Sequence, residues 1–235
     1  MHSLLLLSGL LCDGTVWGDV PELLADAADV RIVFFRGFAS ISAMAEHVLS
    51  VAPGRFAVAG HSMGGRVALE VLRRAPQRVS AIALLDTGVH PVREGEAESR
   101  GELVRLARAK GMAALAAAWL PPMMGASAVR IAAVMPALVE MVKRSTPEAF
   151  SAQINALLHR PDAEPVLSSI KVPALLLSGT NDNWSSLAQH REMQRSVAHA
   201  ALVGIEDAGH MAPIEQPEAV AGALREWLAA IKEPV

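Results

Sequence analysis

The sequence predicts an α/β fold: a mostly parallel central sheet of about six strands, flanked by helices, with a helical cap inserted after the fourth strand. Three observations carry this. Short apolar runs recur along the 235 residues, bounded by glycine or polar residues. Segments with helical spacing separate them, the alternation of a parallel sheet covered on both faces. Between the fourth and fifth runs, from Val89 to Pro165, no strand pattern appears at all.

The six runs are Leu4–Leu7, Arg31–Phe35, Phe56–Ala59, Ala81–Leu85, Ala174–Leu177 and Ala201–Ile205. The opening Met-His-Ser-Leu-Leu-Leu-Leu lacks a basic stretch and a small-residue cleavage site, so it reads as a buried strand and not a signal peptide. After the second run, Met44, Val48 and Leu49 mark a helix ended by Pro53-Gly54. After the third, a helix begins beyond Ser62, carries Val67, Ala68, Val71 and Leu72, and stops before Pro76. Residues 89–165 are alanine-rich and punctuated by Pro121-Pro122, Gly125 and Pro136. A connection of ~75 residues is too long to be unstructured in a compact domain, so it is expected to form helices. The chain then divides into a core of residues 1–88 and 166–235 and a cap of residues 89–165. At the end, Val220, Leu224, Trp227, Leu228 and Ile231 recur every three or four residues, with Pro217 in the first turn.

Composition narrows the function. At 52% hydrophobic and 19% charged, the chain has enough apolar surface to fold. A net charge of −3 offers no basic field for a phosphate backbone, so no nucleic-acid partner is expected. The longest apolar stretch, Met112 to Leu120, is far short of the ~20 residues that span a bilayer. The single cysteine, Cys12, forms no internal disulfide. A soluble, cytoplasmic protein without membrane attachment is expected; oligomeric state is not legible.

The sharpest chemical signal is Gly60-His61-Ser62-Met63-Gly64, followed by Gly65, between the third strand and its helix. In such a turn the serine is strained and its hydroxyl is pushed above the sheet, while flanking side chains would collide with strand and helix. A hydroxyl nucleophile needs a base that a third group orients. Asp182 follows the fifth strand in Ser178-Gly179-Thr180-Asn181-Asp182, and His210 follows the sixth in Asp207-Ala208-Gly209-His210-Met211. Both belong to the carboxyl edge of the sheet, as Ser62 does, and the order serine, acid, histidine suits this elbow. Asp86, after the fourth strand, is a rival acid; Asp207 reads better as a turn cap. Cys12 has no base positioned for it and reads as a small buried hydrophobe. The backbone N–H groups of Met63 and Leu10, the latter in the loop after the first strand, are the candidate oxyanion hole.

On these residues the chain resembles the alpha/beta-hydrolase superfamily along nearly its whole length. The elbow at Ser62, the Gly-x-x-Asp loop ending at Asp182, and Gly209-His210 with Pro213 and Pro217-Glu218 beyond are the landmarks. The resemblance implies nucleophile, acid and base roles for Ser62, Asp182 and His210, an oxyanion hole from the Leu10 and Met63 amides, and a cap over the site. Two departures stand out. Ser8-Gly9 replaces the family's usual His-Gly in the first loop, so the bonds that steady it must differ. The first loop also comes almost at the N-terminus of the sequence, so a sheet without the family's usual leading antiparallel strands is expected.

The expected activity is hydrolysis of a small, largely apolar carboxylic ester through an acyl-enzyme. Trp119, Leu120, Met123, Met124 and Trp184 are candidate pocket residues, and Met112, Met135 and Met141 either join them or pack the cap. Two alternatives stay open: lactone or carbon–carbon bond hydrolysis or lyase chemistry on the same triad, and a non-catalytic ligand-binding protein on this scaffold. No cofactor or metal is expected, since H-E-x-x-H, paired cysteines, G-x-x-x-x-G-K-[ST] and G-x-G-x-x-G are all missing.

Overall fold

The computed structural model describes residues 1–231. Six strands, β1 (His2–Leu7), β2 (Ala28–Val33), β3 (Phe56–His61), β4 (Val79–Leu85), β5 (Ala174–Gly179) and β6 (Ala201–Ile205), form one sheet in the order β2-β1-β3-β4-β5-β6. Every pairing is parallel. The all-apolar runs fill the middle: β3 and β5 are buried along their whole length, as strands covered on both faces must be.

Strand β2 departs from the expected Arg31–Phe35 and begins three residues earlier. It lies at the sheet edge, where burial alternates with exposure, so its signal is a half-buried alternation and not a continuous run. The apolar Val33-Phe34-Phe35 is where the strand ends; Phe34 is exposed and Phe35 turns into the core.

Among the described residues ten α-helices join and cover the strands: α1 (Val20–Leu23), α2 (Ile41–Val51), α3 (Met63–Arg74), α4 (Glu96–Trp119), α5 (Ala128–Lys143), α6 (Pro147–Leu158), α7 (Glu164–Ser168), α8 (Leu187–Ser196), α9 (Ala212–Glu215) and α10 (Pro217–Ala229). The helix α2 starts at Ser40, whose side chain accepts the Ala43 N–H, and α10 starts on Pro217. The expected insertion after β4 is the helical group α4–α6. Within it α4 packs on α5 and α6, whereas α7 already packs on α3 and α8 of the sheet layer. Gly111 breaks α4 with a φ of 80°. Among the described residues no helix is long and apolar enough to cross a membrane.

The chain leaves β1 for β2 on one side and returns to β3 on the other, so the loops after β1 and β3 diverge above neighbouring strands. That switch point is where open parallel sheets bind ligands.

Candidate active site

Strand β3 runs without a spacer into α3, and Ser62 is the single residue between them. Its φ of 54° and ψ of −117° are costly for a side chain bearing Cβ and place it at the tip of the turn. Neighbours fix this conformation. The Ser62 N–H donates to the Leu85 carbonyl at 2.9 Å, and the Thr87 hydroxyl donates to the Ser62 carbonyl at 2.7 Å. A Cβ at Gly60 would strike the Gly64 carbonyl, and one at Gly64 would strike that of Leu7. The glycines are thus required by close backbone approach, which brings the first turn of α3 over the end of β1.

The three candidate triad side chains meet. His210 Nε2 lies 2.9 Å from Ser62 Oγ, and His210 Nδ1 lies 2.8 Å from Asp182 Oδ2. The other carboxylate oxygen of Asp182 accepts the N–H groups of Trp184 and Ser185 at 2.7 and 3.0 Å. Burial alone would raise the Asp182 pKa, but the charge and hydrogen bond of His210, with those two amides, hold it below the usual carboxylate value. Asp182 is therefore an anion able to orient the imidazole through Nδ1–H and leave Nε2 free to accept the serine proton.

The rival acids are elsewhere. Asp86 is fully buried; its Oδ1 accepts the Gly179 N–H at 2.9 Å and its Oδ2 has no partner among the described residues. Burial, followed by the charge of Asp182, pushes its pKa well up and favours the neutral acid. Asp207 is exposed and holds its turn through Gln216. Burial, reinforced by the charge of Asp13, drives the Cys12 thiol pKa upward, which leaves it a poor nucleophile.

The first loop has its own supports in place of the family's histidine. Ser8 is buried; its hydroxyl donates to the Asp13 carbonyl at 3.2 Å and accepts Trp17 Nε1–H at 3.2 Å. Gln153 of α6 then spans from insertion to core. Its Oε1 accepts the Leu11 N–H at 2.9 Å and its Nε2 donates to the Phe35 carbonyl at 2.8 Å. This loop brings Leu10 to the cavity beside Met63, the first residue of α3, whose amide has no acceptor within the helix. Leu10 and Met63 thus line the same cavity as Ser62.

Two further buried groups brace His210. His61 Nε2–H donates to the His210 carbonyl at 2.7 Å; burial, then the nearby charge of His210, lower the His61 pKa to about 3, so this ring stays neutral. Glu215, wholly buried, accepts four backbone N–H groups: Gly209 and Met211 around His210, and Gly125 and Ala126 from the insertion. The Met123 carbonyl accepts the His210 N–H at 2.8 Å. The sequence reading missed Gln153 and Glu215. The only hint of Glu215 was a charged residue among Met211-Ala212-Pro213-Ile214, and nothing local marked Gln153.

Ser62 and His210 line a cavity of about 630 Å³. Of the expected pocket residues, Trp119, Met123 and Trp184 are on its wall, and the Trp184 ring lies 5.9 Å from that of His210. Leu120 and Met124 are not. Leu120 is completely buried at the end of α4, and Met124 turns away to pack on the core, because the short helical turn at Pro121–Met123 presents only Met123 inward. Met112 and Met141 are buried and Met135 half-buried, packing the helices around them. Leu103, Ile154, Leu157 and Met211 complete an apolar wall. The wall also carries charged residues, Arg66, Arg93, Arg100, Arg160, Glu94 and Glu96, which the expectation of a largely apolar pocket did not include.

Comparison with known proteins agrees with this architecture. The model of the alpha/beta hydrolase family matches residues 4–223. The chain is 26% identical, over 92% of its length and 91% of the relative's, to the pimeloyl-[acyl-carrier protein] methyl ester esterase of Nitrosomonas europaea. Among solved structures it resembles a thermophilic esterase from Thermogutta terrifontis at 28% identity and a TM-score of 0.87, covering 99% of this chain and 91% of the other. It also resembles the enol-lactonase from Burkholderia xenovorans at 26% identity and a TM-score of 0.86, covering 97% and 92%.

Proposed function

The chain belongs to the alpha/beta hydrolase family, and from that premise we propose that it hydrolyses a small carboxylic ester through an acyl-enzyme on Ser62. The observation that carries the reading is the unbroken run of hydrogen bonds from Ser62 Oγ through His210 to Asp182, with the serine on the wall of the cavity. His210 Nε2 takes the hydroxyl proton as Ser62 Oγ attacks the ester carbonyl carbon. Asp182 stabilises the imidazolium that results. The Leu10 and Met63 amides receive the negative charge of the tetrahedral oxygen. His210 then returns its proton to the departing alkoxide, and a water activated by the same imidazole releases the acid.

Similarity to an enol-lactonase favours a second substrate form, a cyclic ester opened by the same steps. Competing an open-chain ester against its lactone for the purified enzyme, by kcat/KM, decides between them.

The test of the reading is covalent. A fluorophosphonate probe is expected to label Ser62 in the intact protein and not in Ser62→Ala, with ester turnover in the variant lower by ~10³–10⁶. Undiminished turnover in Ser62→Ala would exclude this mechanism.

A further inference from the structure

Among the described residues, the charged wall of the cavity contains one buried cation without an ion-pair partner, Arg66. Arg66 lies four residues after Ser62, one turn or ~5–6 Å along the same helix. It is 9% exposed. Its Nη2 donates to the His90 carbonyl at 3.1 Å, while its Nη1 is buried and has no partner among the described residues. The nearby Glu96 is already committed. Both its oxygens are held by Arg160, at 2.7 and 2.8 Å, and it also accepts from Arg100 and from the Arg93 N–H. Burial, then the like charge of Arg160, lower the Arg66 pKa to about 9, which leaves it cationic at neutral pH.

A buried guanidinium with no ion-pair partner of its own is unfavourable unless an anion meets the part of it that lines the cavity. Four arginines face two glutamates on this wall, so the local field favours an anion. The glutamates also disfavour a dianion such as a phosphate ester. A single carboxylate fits the planar fork of the guanidinium.

We propose that this end of the cavity is an anion subsite, in which Arg66 receives the free carboxylate of a short dicarboxylic acid half-ester while its ester carbonyl sits at Ser62. The proposal rests on the hydrolase reading for what happens at Ser62, but not for the binding itself. The acyl chain lies along Leu103, Ile154 and Leu157, and the carboxylate meets the part of the Arg66 side chain that lines the cavity. Specificity then comes from charge: an uncharged ester of the same length leaves the guanidinium buried and unpaired.

Calorimetric titration of Ser62→Ala, where ester cleavage does not consume the ligand, separates binding from chemistry. Monomethyl glutarate is expected to bind at least tenfold more tightly than methyl valerate, its uncharged analogue of similar length. In Ser62→Ala/Arg66→Gln the ratio falls to one or below, and Arg66→Lys in the same background, which keeps the charge but not the fork, gives an intermediate ratio. Equal binding of the two esters to Ser62→Ala overturns the proposal, as does a preference that neither Arg66 substitution alters. The lysine variant and the two-ligand comparison keep the test decisive if the glutamine variant does not fold. Fluorophosphonate labelling of the unsubstituted protein reports the serine separately. Failure to label with the charge preference intact removes the hydrolase reading and leaves the subsite; labelling without the preference does the reverse.

Discussion

His210 is held from four directions: Ser62 and Asp182 on its ring, Met123 on its N–H and His61 on its carbonyl. Ring and backbone are thus both positioned before substrate arrives, and little reorganisation is left to the reaction. Asp182→Asn keeps the size of the acid but loses its charge and reverses the preferred imidazole tautomer. A fall in kcat of ~10⁴ is expected, measured at saturating ester. Gln153→Met tests the loop of Leu10. It strands the Leu11 N–H without its acceptor, a penalty of ~1–3 kcal/mol, and is expected to lower kcat about tenfold with little change in KM. An unaltered kcat with lowered Tm would assign Gln153 to stability alone. Ser62, Asp182 and His210 were legible because each sits in a short glycine-bearing turn directly after an apolar run. Gln153 and Glu215 were not, because their partners on other elements lie up to 142 residues away.

Among the elements, the elbow is the one that tolerates least. Gly64→Ala puts a methyl group into the Leu7 carbonyl and forces β1 and α3 apart. A loss of several kcal/mol is expected, seen as a Tm lower by ~10 °C or more or as insoluble expression. The central strands could be read from composition because burial on both faces demands apolar residues throughout. The edge strand β2 could not, since its true signal is the weaker alternation of one covered face. Inside the insertion, only the presence of helices was legible. Which methionines face the cavity depends on the turn at Pro121–Met123 and on the break at Gly111, and neither has a period. Glu215 joins elements in the same way. Replacing it with glutamine turns a carboxylate that satisfies four amides into a group with one oxygen. A cost of ~2 kcal/mol or more, roughly 4–8 °C in Tm, is expected, together with a lower kcat.

At the scale of the whole molecule, the insertion is closed at its root. Glu96 stands at its start and Arg160 at its end, joined by two hydrogen bonds across 64 residues of sequence. Burial opposes the ionised form of Glu96, but Arg160, Arg100 and the Arg93 amide together bring its pKa from 4.5 to about 2. A depressed carboxylate pKa stabilises the fold above the unfolded value, and that contribution disappears as pH falls toward the folded one. Glu96→Gln is therefore expected to cost roughly 3 kcal/mol near neutral pH, much of it from stranding the Arg160 guanidinium. The Tm difference from the unsubstituted protein should shrink as pH is lowered from 4.5 toward 2. A difference independent of pH over that range would mean the pair carries no electrostatic stability.

The seam at Met123–Ala126 bears on how such proteins exchange specificity modules. One carbonyl and two amides of the insert complete the hydrogen bonding of the loop that carries the imidazole. A foreign insert spliced onto this scaffold must supply the same acceptor and the same two donors at the same depth. Grafts that match only in outline would give well-folded hybrids with a misaligned base, so the smallest transplantable unit comprises the insert together with the histidine loop it supports.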